Sequence, residues 1–225
     1  MVKRAVIDVE KSENGYKVRT RKDEFESKYL ILAMGRSHKH LGVEGEDRLA
    51  GVGVSYCATC DGFFFKDKTV CVVGGGDSAL SQAIYLSAFC KHVYLIHRRD
   101  TFRAANYLVD RAKSKDNIKF VLNATINEII GDNFVTAVSL SVNGSNEVVL
   151  CDGVFGAIGE KANMSFTIEG LNTTNQGQII TDNYCRTNLK GLYAIGDIRE
   201  REVYQIITAV ADGALVIEGI LKDSE

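Results

Sequence analysis

Thr69-Val70-Cys71-Val72-Val73 runs directly into Gly74-Gly75-Gly76-Asp77-Ser78-Ala79. The first five residues are apolar or β-branched and predict a buried strand. The glycines open a segment that is apolar at 79, 80, 83, 84, 86 and 89, which is helical spacing. Val93-Tyr94-Leu95-Ile96 then reads as a second strand. Strand, glycine turn, helix, strand is a βαβ unit, whose crossover is right-handed. Within it, Gly74-x-Gly76-x-x-Ala79 has the dinucleotide-binding pattern in the context that pattern requires. Gly74 makes the tight turn and Gly76 lets backbone N–H groups approach a pyrophosphate. Ala79 lets the helix close on the strand, and the helix N-terminus faces the phosphates. The plainer alternative is a glycine turn that holds no ligand.

Just upstream stands Cys57-Ala58-Thr59-Cys60-Asp61-Gly62. A Cys-x-x-Cys pair at a helix start favours a lowered thiolate pKa and disulfide exchange. The pair could instead be half of a zinc site or inert. Zinc needs four ligands, and no second Cys-x-x-Cys or His pair is spaced to complete a set, so no metal site is expected. Asp61 is a candidate acid–base group or a plain helix-turn carboxylate. Cys71, Cys90 and Cys151 lie in apolar runs and are expected to be buried small hydrophobes.

The second strand ends in His97-Arg98-Arg99, with Arg103 four residues beyond. A site for NAD would place an acidic residue near this strand end for the ribose hydroxyls. Guanidinium forks suit a 2′-phosphate instead, so the expected nucleotide is NADPH. The alternative is a solvated basic strand end.

The remaining pattern is mixed. Ala5–Val9 and Tyr16–Thr20 alternate around Asn14-Gly15, a hairpin signal. Residues 29–33 read as a buried strand and residues 36–53 as a linker. Leu108–Ala112 predicts a helix. Residues 118–122, 126–130 and 134–142 predict strands, as does a continuous run over 148–158. Short strands are expected at 178–181 and 192–195, the latter running into Gly196-Asp197. Residues 203–221 predict a closing helix. Tyr94, Tyr184 and the Phe63-Phe64-Phe65 run are expected in the core, and His38, His40 and His92 at the surface.

Forty-five per cent hydrophobic and 25% charged residues, over 225 positions, suit a globular chain with a sizeable core. A net charge of −2 gives no reason to expect nucleic acid or an anionic membrane as partner. No apolar stretch is long enough to span a bilayer and no signal peptide is read, so the expected location is cytoplasmic. Proline is absent, where average usage of about 5% would give roughly 11 residues.

Cys-Ala-Thr-Cys-Asp-Gly, Gly-Gly-Gly-Asp-Ser-Ala, His-Arg-Arg-Asp-x-Phe-Arg-Ala and Ala-Ile-Gly-Asp, in this order, resemble low-molecular-weight thioredoxin reductases of bacterial and archaeal type. The resemblance implies a two-dinucleotide-binding-domain flavoprotein: a Rossmann-like NADPH domain, here 42–156, carries the cysteine pair. It is inserted into an FAD domain of the same type, represented by 1–41 and 157–225. It implies that electrons pass from NADPH through FAD to the Cys57–Cys60 disulfide and on to thioredoxin. By the same resemblance, Cys60 faces the flavin, Cys57 attacks the partner disulfide and Asp61 moves protons. Gly74, Gly76, Asp77, Ser78, Ala79, His97, Arg98, Arg99, Arg103, Ile158 and Gly159 are the implied nucleotide contacts. Gly196, Asp197, Gln205 and Ile206 are the implied flavin contacts, although Tyr204 stands where an arginine is common. A homodimer is implied.

No Gly-x-Gly-x-x-[GA] turn precedes Cys57, so the chain is expected to match the family from about one third of the way in, with an incomplete FAD domain. Two alternatives stay open: a nucleotide-binding fragment without turnover, and a reductase serving a peroxiredoxin- or glutaredoxin-like partner. Related reductases commonly carry proline near His38, Glu44, Asn106, Ala162 and Glu202, so the missing prolines are expected to have been replaced there.

Overall fold

The strand Thr69–Val73 is the centre of a five-stranded sheet in the computed structural model, which describes residues 1–224. The chain divides into two units, His38–Gly159 and a second formed by Met1–Ser37 with the stretch from Glu160 onward.

In the first unit the sheet order is Val54–Ser55, Gly153–Gly156, Thr69–Val73, His92–His97, Ile118–Leu122, and every pairing is parallel. The period of two along Thr69–Val73 sorts its side chains between two cores. Val70 and Val72 join Leu80, Ala83 and Leu86 of the helix Asp77–Ser87, and Leu108 and Ala112 of the helix Asn106–Lys113. Cys71 faces the other way, with Ile126, Ile129, Val138 and Leu140. Those residues come from an antiparallel meander of Ala124–Ile130, Ala137–Val142 and Ser145–Leu150. The parallel sheet is thus covered on both faces, as such sheets require.

Two expectations about this unit need correction. The run 148–158 is not one strand. It breaks after Leu150, and Gly153–Gly156 belongs to the other sheet. The break is held by Asp152, whose carboxylate accepts the Thr69 N–H at 2.9 Å while its own N–H donates to the Thr69 carbonyl at 2.7 Å. Residues 36–53 are not a linker either. Leu49 is fully buried, and the buried Glu46 carboxylate accepts the backbone N–H groups of Leu41 and Gly42, each at 2.7 Å.

The second unit opens with an antiparallel meander of Val6–Ser12, Gly15–Thr20 and Glu24–Ser27. Asn14-Gly15 turns the first hairpin as expected, and the third strand had no sequence signal, being exposed throughout. Tyr16 is fully buried, and its hydroxyl donates to the Lys190 carbonyl at 2.9 Å. Leu30–Leu32 pairs in parallel with Leu192–Ala194. Residues 178–181 form no strand, only isolated bridges of Ile179 to Thr173 and Arg199. The closing helix spans Ile206–Ser224 and buries Asp212, Val216 and Gly219. Ile206, Ile207, Val210, Ala214, Ile217 and Leu221, apolar at helical spacing, are exposed. Among the described residues no helix is long and apolar enough to cross a membrane.

Candidate functional site

Parallel strands bring their carboxyl ends to one edge. In the His38–Gly159 unit that edge carries Tyr56-Cys57, Gly74-Gly75-Gly76, Arg98-Arg99 and Ala157-Ile158-Gly159. From Thr69–Val73 the chain proceeds to His92–His97 on one side, while Gly153–Gly156 lies on the other. This reversal of strand order is where an open parallel sheet holds a ligand. A cleft of about 290 Å³ lies there, lined by Gly74, Gly75, His97, Arg98, Arg103 and Ile158 among others.

The three glycines have different reasons. A Cβ at Gly74, which has φ +152°, would lie 2.3 Å from the Ala157 carbonyl oxygen and 2.9 Å from the Ala79 methyl. One at Gly75 would strike the His97 ring at 2.1 Å. One at Gly76 would meet nothing within 4 Å. The protein therefore demands glycine at 74 and 75, whereas the space at 76 is free for something outside the chain.

Arg98, Arg99 and Arg103 are exposed and have no ion-pair partner among the described residues. Their loop is tied to the glycine turn by the Arg103 N–H on the Gly75 carbonyl and the Ala105 N–H on the Asp77 carboxylate, both at 2.8 Å. Asp77 thus spends one carboxylate oxygen on its own loop, while Ser78 is exposed in the first helical turn. His97 is packed rather than presented. It is 7% exposed, stacks on Phe102 with ring centroids 5.2 Å apart, and its Nε2–H donates to the Thr101 carbonyl at 3.1 Å. Burial lowers its pKa. The Thr101 bond opposes this, and the charges of Arg98, Arg99 and Arg103 add to it.

Cys57 and Cys60 are joined as a disulfide. Cys57 caps the short helix Ala58–Asp61, and its Sγ accepts the Cys60 N–H at 3.2 Å. Two residues missed by sequence reasoning hold this turn. The Ser55 hydroxyl donates to Asp61 Oδ2 at 2.6 Å and accepts the Cys57 N–H at 3.2 Å. Gln82 Oε1 accepts the Ala58 N–H at 3.2 Å. Gln82 belongs to the helix that starts at the glycine turn, so one helix serves both the cleft and the disulfide. A lone Ser or Gln has no spacing rule that would single it out.

Phe65 is buried, but Phe63 and Phe64 are 70% and 76% exposed, which corrects their placement in the core. The helical turn Gly62–Phe65 sends only one of the three rings inward. The other four cysteines are free and buried. Burial pushes the thiols of Cys90 and Cys185 up to about 11, and a bond to Cys151, with burial, raises that of Cys71. All four thiols are shut away from a partner disulfide by burial, and Cys57–Cys60 is the pair suited to exchange.

In the other unit, Gly196 turns with φ +69° and its N–H donates to Asp212 Oδ2 at 2.8 Å. Asp212 is 2% exposed and is paired with Arg199 at 2.9 Å and with Arg201. Burial alone would raise its pKa. Bonds from Arg201 and the Gly196 N–H, with the charge of Arg199, outweigh that and leave it below the ordinary carboxylate value. Next to this anchor, Asp197 Oδ1 is buried with no partner among the described residues. Gln205 precedes the helix and its N–H donates to the Thr208 hydroxyl at 3.1 Å, while Ile206 is 85% exposed. The Tyr204 ring carries the Arg36 guanidinium 3.3 Å from its centroid, so a guanidinium is present near this point although position 204 is tyrosine.

The family model for pyridine nucleotide-disulphide oxidoreductases matches residues 1–213. A thioredoxin reductase of Listeria innocua is 44% identical over 205 residues, covering 88% of this chain and 63% of the relative. One from Bacillus subtilis is 42% identical over 202 residues with the same coverage. The chain therefore spans less than two thirds of these relatives' length. Among solved structures, thioredoxin reductase from Streptococcus pyogenes superposes with a TM-score of 0.90 at 38% identity, covering 98% of this chain and 73% of that one. That from Giardia duodenalis gives 0.89 at 30% identity, covering 98% and 75%. Parallel sheet, glycine turn, cysteine disulfide and these matches agree: the chain belongs to the pyridine nucleotide-disulphide oxidoreductase family.

Proposed function

We propose that the chain serves NADPH-dependent reduction of a thioredoxin disulfide, with FAD as relay and Cys57–Cys60 as the exchanging pair. The observation that carries this reading is the placement of the disulfide and the glycine cleft on the same carboxyl edge of one parallel sheet. The names of the relatives support thioredoxin, or a thioredoxin-like protein, as partner. The bound nucleotides supply hydride donation and two-electron relay. On this reading residues 42–156 hold NADPH, while 1–41 and 157–225 contribute to the FAD site.

The residues present fit both groups. The open space at Gly76, and Arg98, Arg99 and Arg103, exposed and without ion-pair partners among the described residues, suit a pyrophosphate and a 2′-phosphate. Gly74 and Ile158 line the cleft, the Ala79 methyl packs against Gly74, Gly159 follows Ile158 at the same edge, His97 backs the turn, and Asp77 and Ser78 stand at the helix start. The orphaned oxygen of Asp197 suits a polyol hydroxyl, with Gly196 giving close approach and Gln205 and Ile206 at the helix start.

In the reduced state, Cys57 attacks one sulfur of the partner disulfide and forms a mixed disulfide. Cys60 then attacks Cys57, which re-forms the internal disulfide and releases the partner as a dithiol. The partner gains two electrons and two protons, and Asp61 moves the protons. We place this activity in the cytoplasm, in a homodimer, without nucleic acid or membrane.

The test is NADPH consumption, with FAD and oxidised thioredoxin, by the chain preceded by the N-terminal glycine-turn unit of a relative, since residues 1–56 carry no Gly-x-Gly-x-x-[GA] turn. Thioredoxin-dependent consumption that Cys57→Ser and Cys60→Ser each abolish is expected. Flavin bound, NADPH bound and no thioredoxin-dependent consumption would overturn the reading.

A further inference from the structure

We propose that Ser55 is a positioning residue for the exchange chemistry of Cys57 and Cys60, tying the Asp61 carboxylate to the backbone of Cys57. The proposal rests on the proton-moving role given above to Asp61.

Ser55 ends the edge strand Val54–Ser55 and is 7% exposed. Its hydroxyl has one proton to give, and the geometry spends it on Asp61 Oδ2 at 2.6 Å. The same oxygen accepts the Cys57 N–H at 3.2 Å, so both neighbours fix the rotor. Among the described residues, Ser55 is the one hydrogen-bond partner of the Asp61 carboxylate. Cys57 in turn receives the Cys60 N–H on its sulfur at 3.2 Å. A single buried hydroxyl therefore links the carboxylate to the frame that holds both sulfurs. Bonds from a hydroxyl to an ionised carboxylate are short and strong, and they set direction as well as distance. Without the hydroxyl the carboxylate loses the one side-chain bond that the described residues give it, and with it the tie to the Cys57 backbone.

The step can be followed without flavin, nicotinamide or thioredoxin. Oxidised glutathione reacts with the reduced pair: Cys57 sulfur bonds to one glutathione sulfur, the glutathione S–S bond breaks, and one thiolate leaves. Cys60 sulfur then displaces the second. The two cysteines lose two electrons, the glutathione disulfide gains them, and the two thiol protons pass to the leaving thiolates. Asp61 carries protons between them.

The experiment measures this rate on the reduced 225-residue chain and on Ser55→Ala, Asp61→Asn and the double variant. Each single change should slow the reaction roughly fivefold, the scale of one lost hydrogen bond. The double variant should be no slower than Asp61→Asn, because the two residues act as one unit. An unchanged rate in Ser55→Ala, or effects that multiply in the double variant, would overturn the proposal. NADPH affinity of each variant reports whether the unit remains folded. Should Ser55→Ala fail to fold, Ser55→Thr keeps the hydroxyl and carries the comparison. It must react like the unmodified chain, and a rate as low as that of Asp61→Asn overturns the proposal. This coupling, with no NADPH-driven turnover by the extended chain, would remove the reductase reading and leave the role of Ser55 standing.

Discussion

Gly74 sits so close to Ala157 that a Cβ would lie 2.3 Å from the Ala157 carbonyl oxygen. That contact joins the ends of two neighbouring parallel strands. It separates fold from ligand at the glycine turn, because the same test at Gly76 finds open space. Gly74→Ala should lower the stability of the His38–Gly159 unit by about 1–3 kcal/mol, through a positive φ and a backbone clash. Gly76→Ala, at a helix N-cap with extended φ of −105°, should cost less than about 1 kcal/mol. It should nevertheless weaken NADPH, because the added methyl stands where the ligand must approach. Denaturant midpoints and calorimetric titration on the two variants check this. Equal loss of affinity without loss of stability in both would contradict it.

Nucleotide choice follows from the strand end. Arg98 and Arg103 line the cleft, Arg99 stands between them, and none is ion-paired among the described residues. The chain should bind NADPH more tightly than NADH. Arg98→Ala with Arg99→Ala should remove most of that preference, at roughly 1.5–3 kcal/mol for each charge-assisted bond lost. Equal affinities in the unmodified chain would refute this.

How much of this was legible in the sequence depends on how local each cause is. The strand at 69–73 was legible because burial on both faces makes it a continuous apolar run, and the helix after it because burial of one face imposes helical spacing. The glycine turn was legible because Gly74, Gly76 and Ala79 stand at dinucleotide-binding spacing between a strand and a helix. The break at Asp152 was not, because what stops the strand is a pair of hydrogen bonds to Thr69, far away in the chain. Phe63 and Phe64 misled for a related reason. Apolar composition predicts burial, but a single helical turn has an outside, and these two rings are on it. Ser55 and Gln82 left no pattern, since each acts through one oxygen atom. In the second unit, Gly196-Asp197 could be picked out from its place at a strand end. Its anchor, Asp212, could not, because it looks like any helical carboxylate until the pairing of strands and helix buries it.

Asp212 gives a stability prediction with a definite sign. It is held by two arginines and the Gly196 N–H, and its folded pKa is lowered from 3.8. A lowered carboxylate contributes stability that is fully present above the unfolded value and is lost as pH falls through the folded one. Acid should therefore loosen the unit containing Gly196 below about pH 4. Asp212→Asn should cost about 3–5 kcal/mol at neutral pH, because it leaves two largely buried guanidinium groups, 11% and 12% exposed, without their counter-charge. It should also remove part of the acid sensitivity. Urea midpoints measured from pH 3 to pH 7 test both statements, and a variant as stable as the unmodified chain at pH 7 would refute the anchor role.

The absent prolines make Asn106 the most informative position to alter. Asn106 is the first residue of the helix Asn106–Lys113, where the backbone N–H has no partner within the helix and a proline loses nothing. The preceding Ala105 has φ −58° and ψ 139°, the extended geometry that a following proline requires. The Ala105 N–H is already bound to the Asp77 carboxylate at 2.8 Å, so the approach to the helix is fixed independently of residue 106. Asn106→Pro should therefore stabilise the unit by about 0.4–1 kcal/mol, chiefly by restricting the unfolded chain. That corresponds to a rise in melting temperature of about 2–6 °C for a unit of this size. Asn106→Ala is the control, since it removes the same side chain but keeps the N–H and the freedom of φ. Proline should exceed alanine in melting temperature while NADPH affinity stays the same. A proline variant no more stable than the alanine variant would show that residue 106 departs from the φ near −65° that proline imposes.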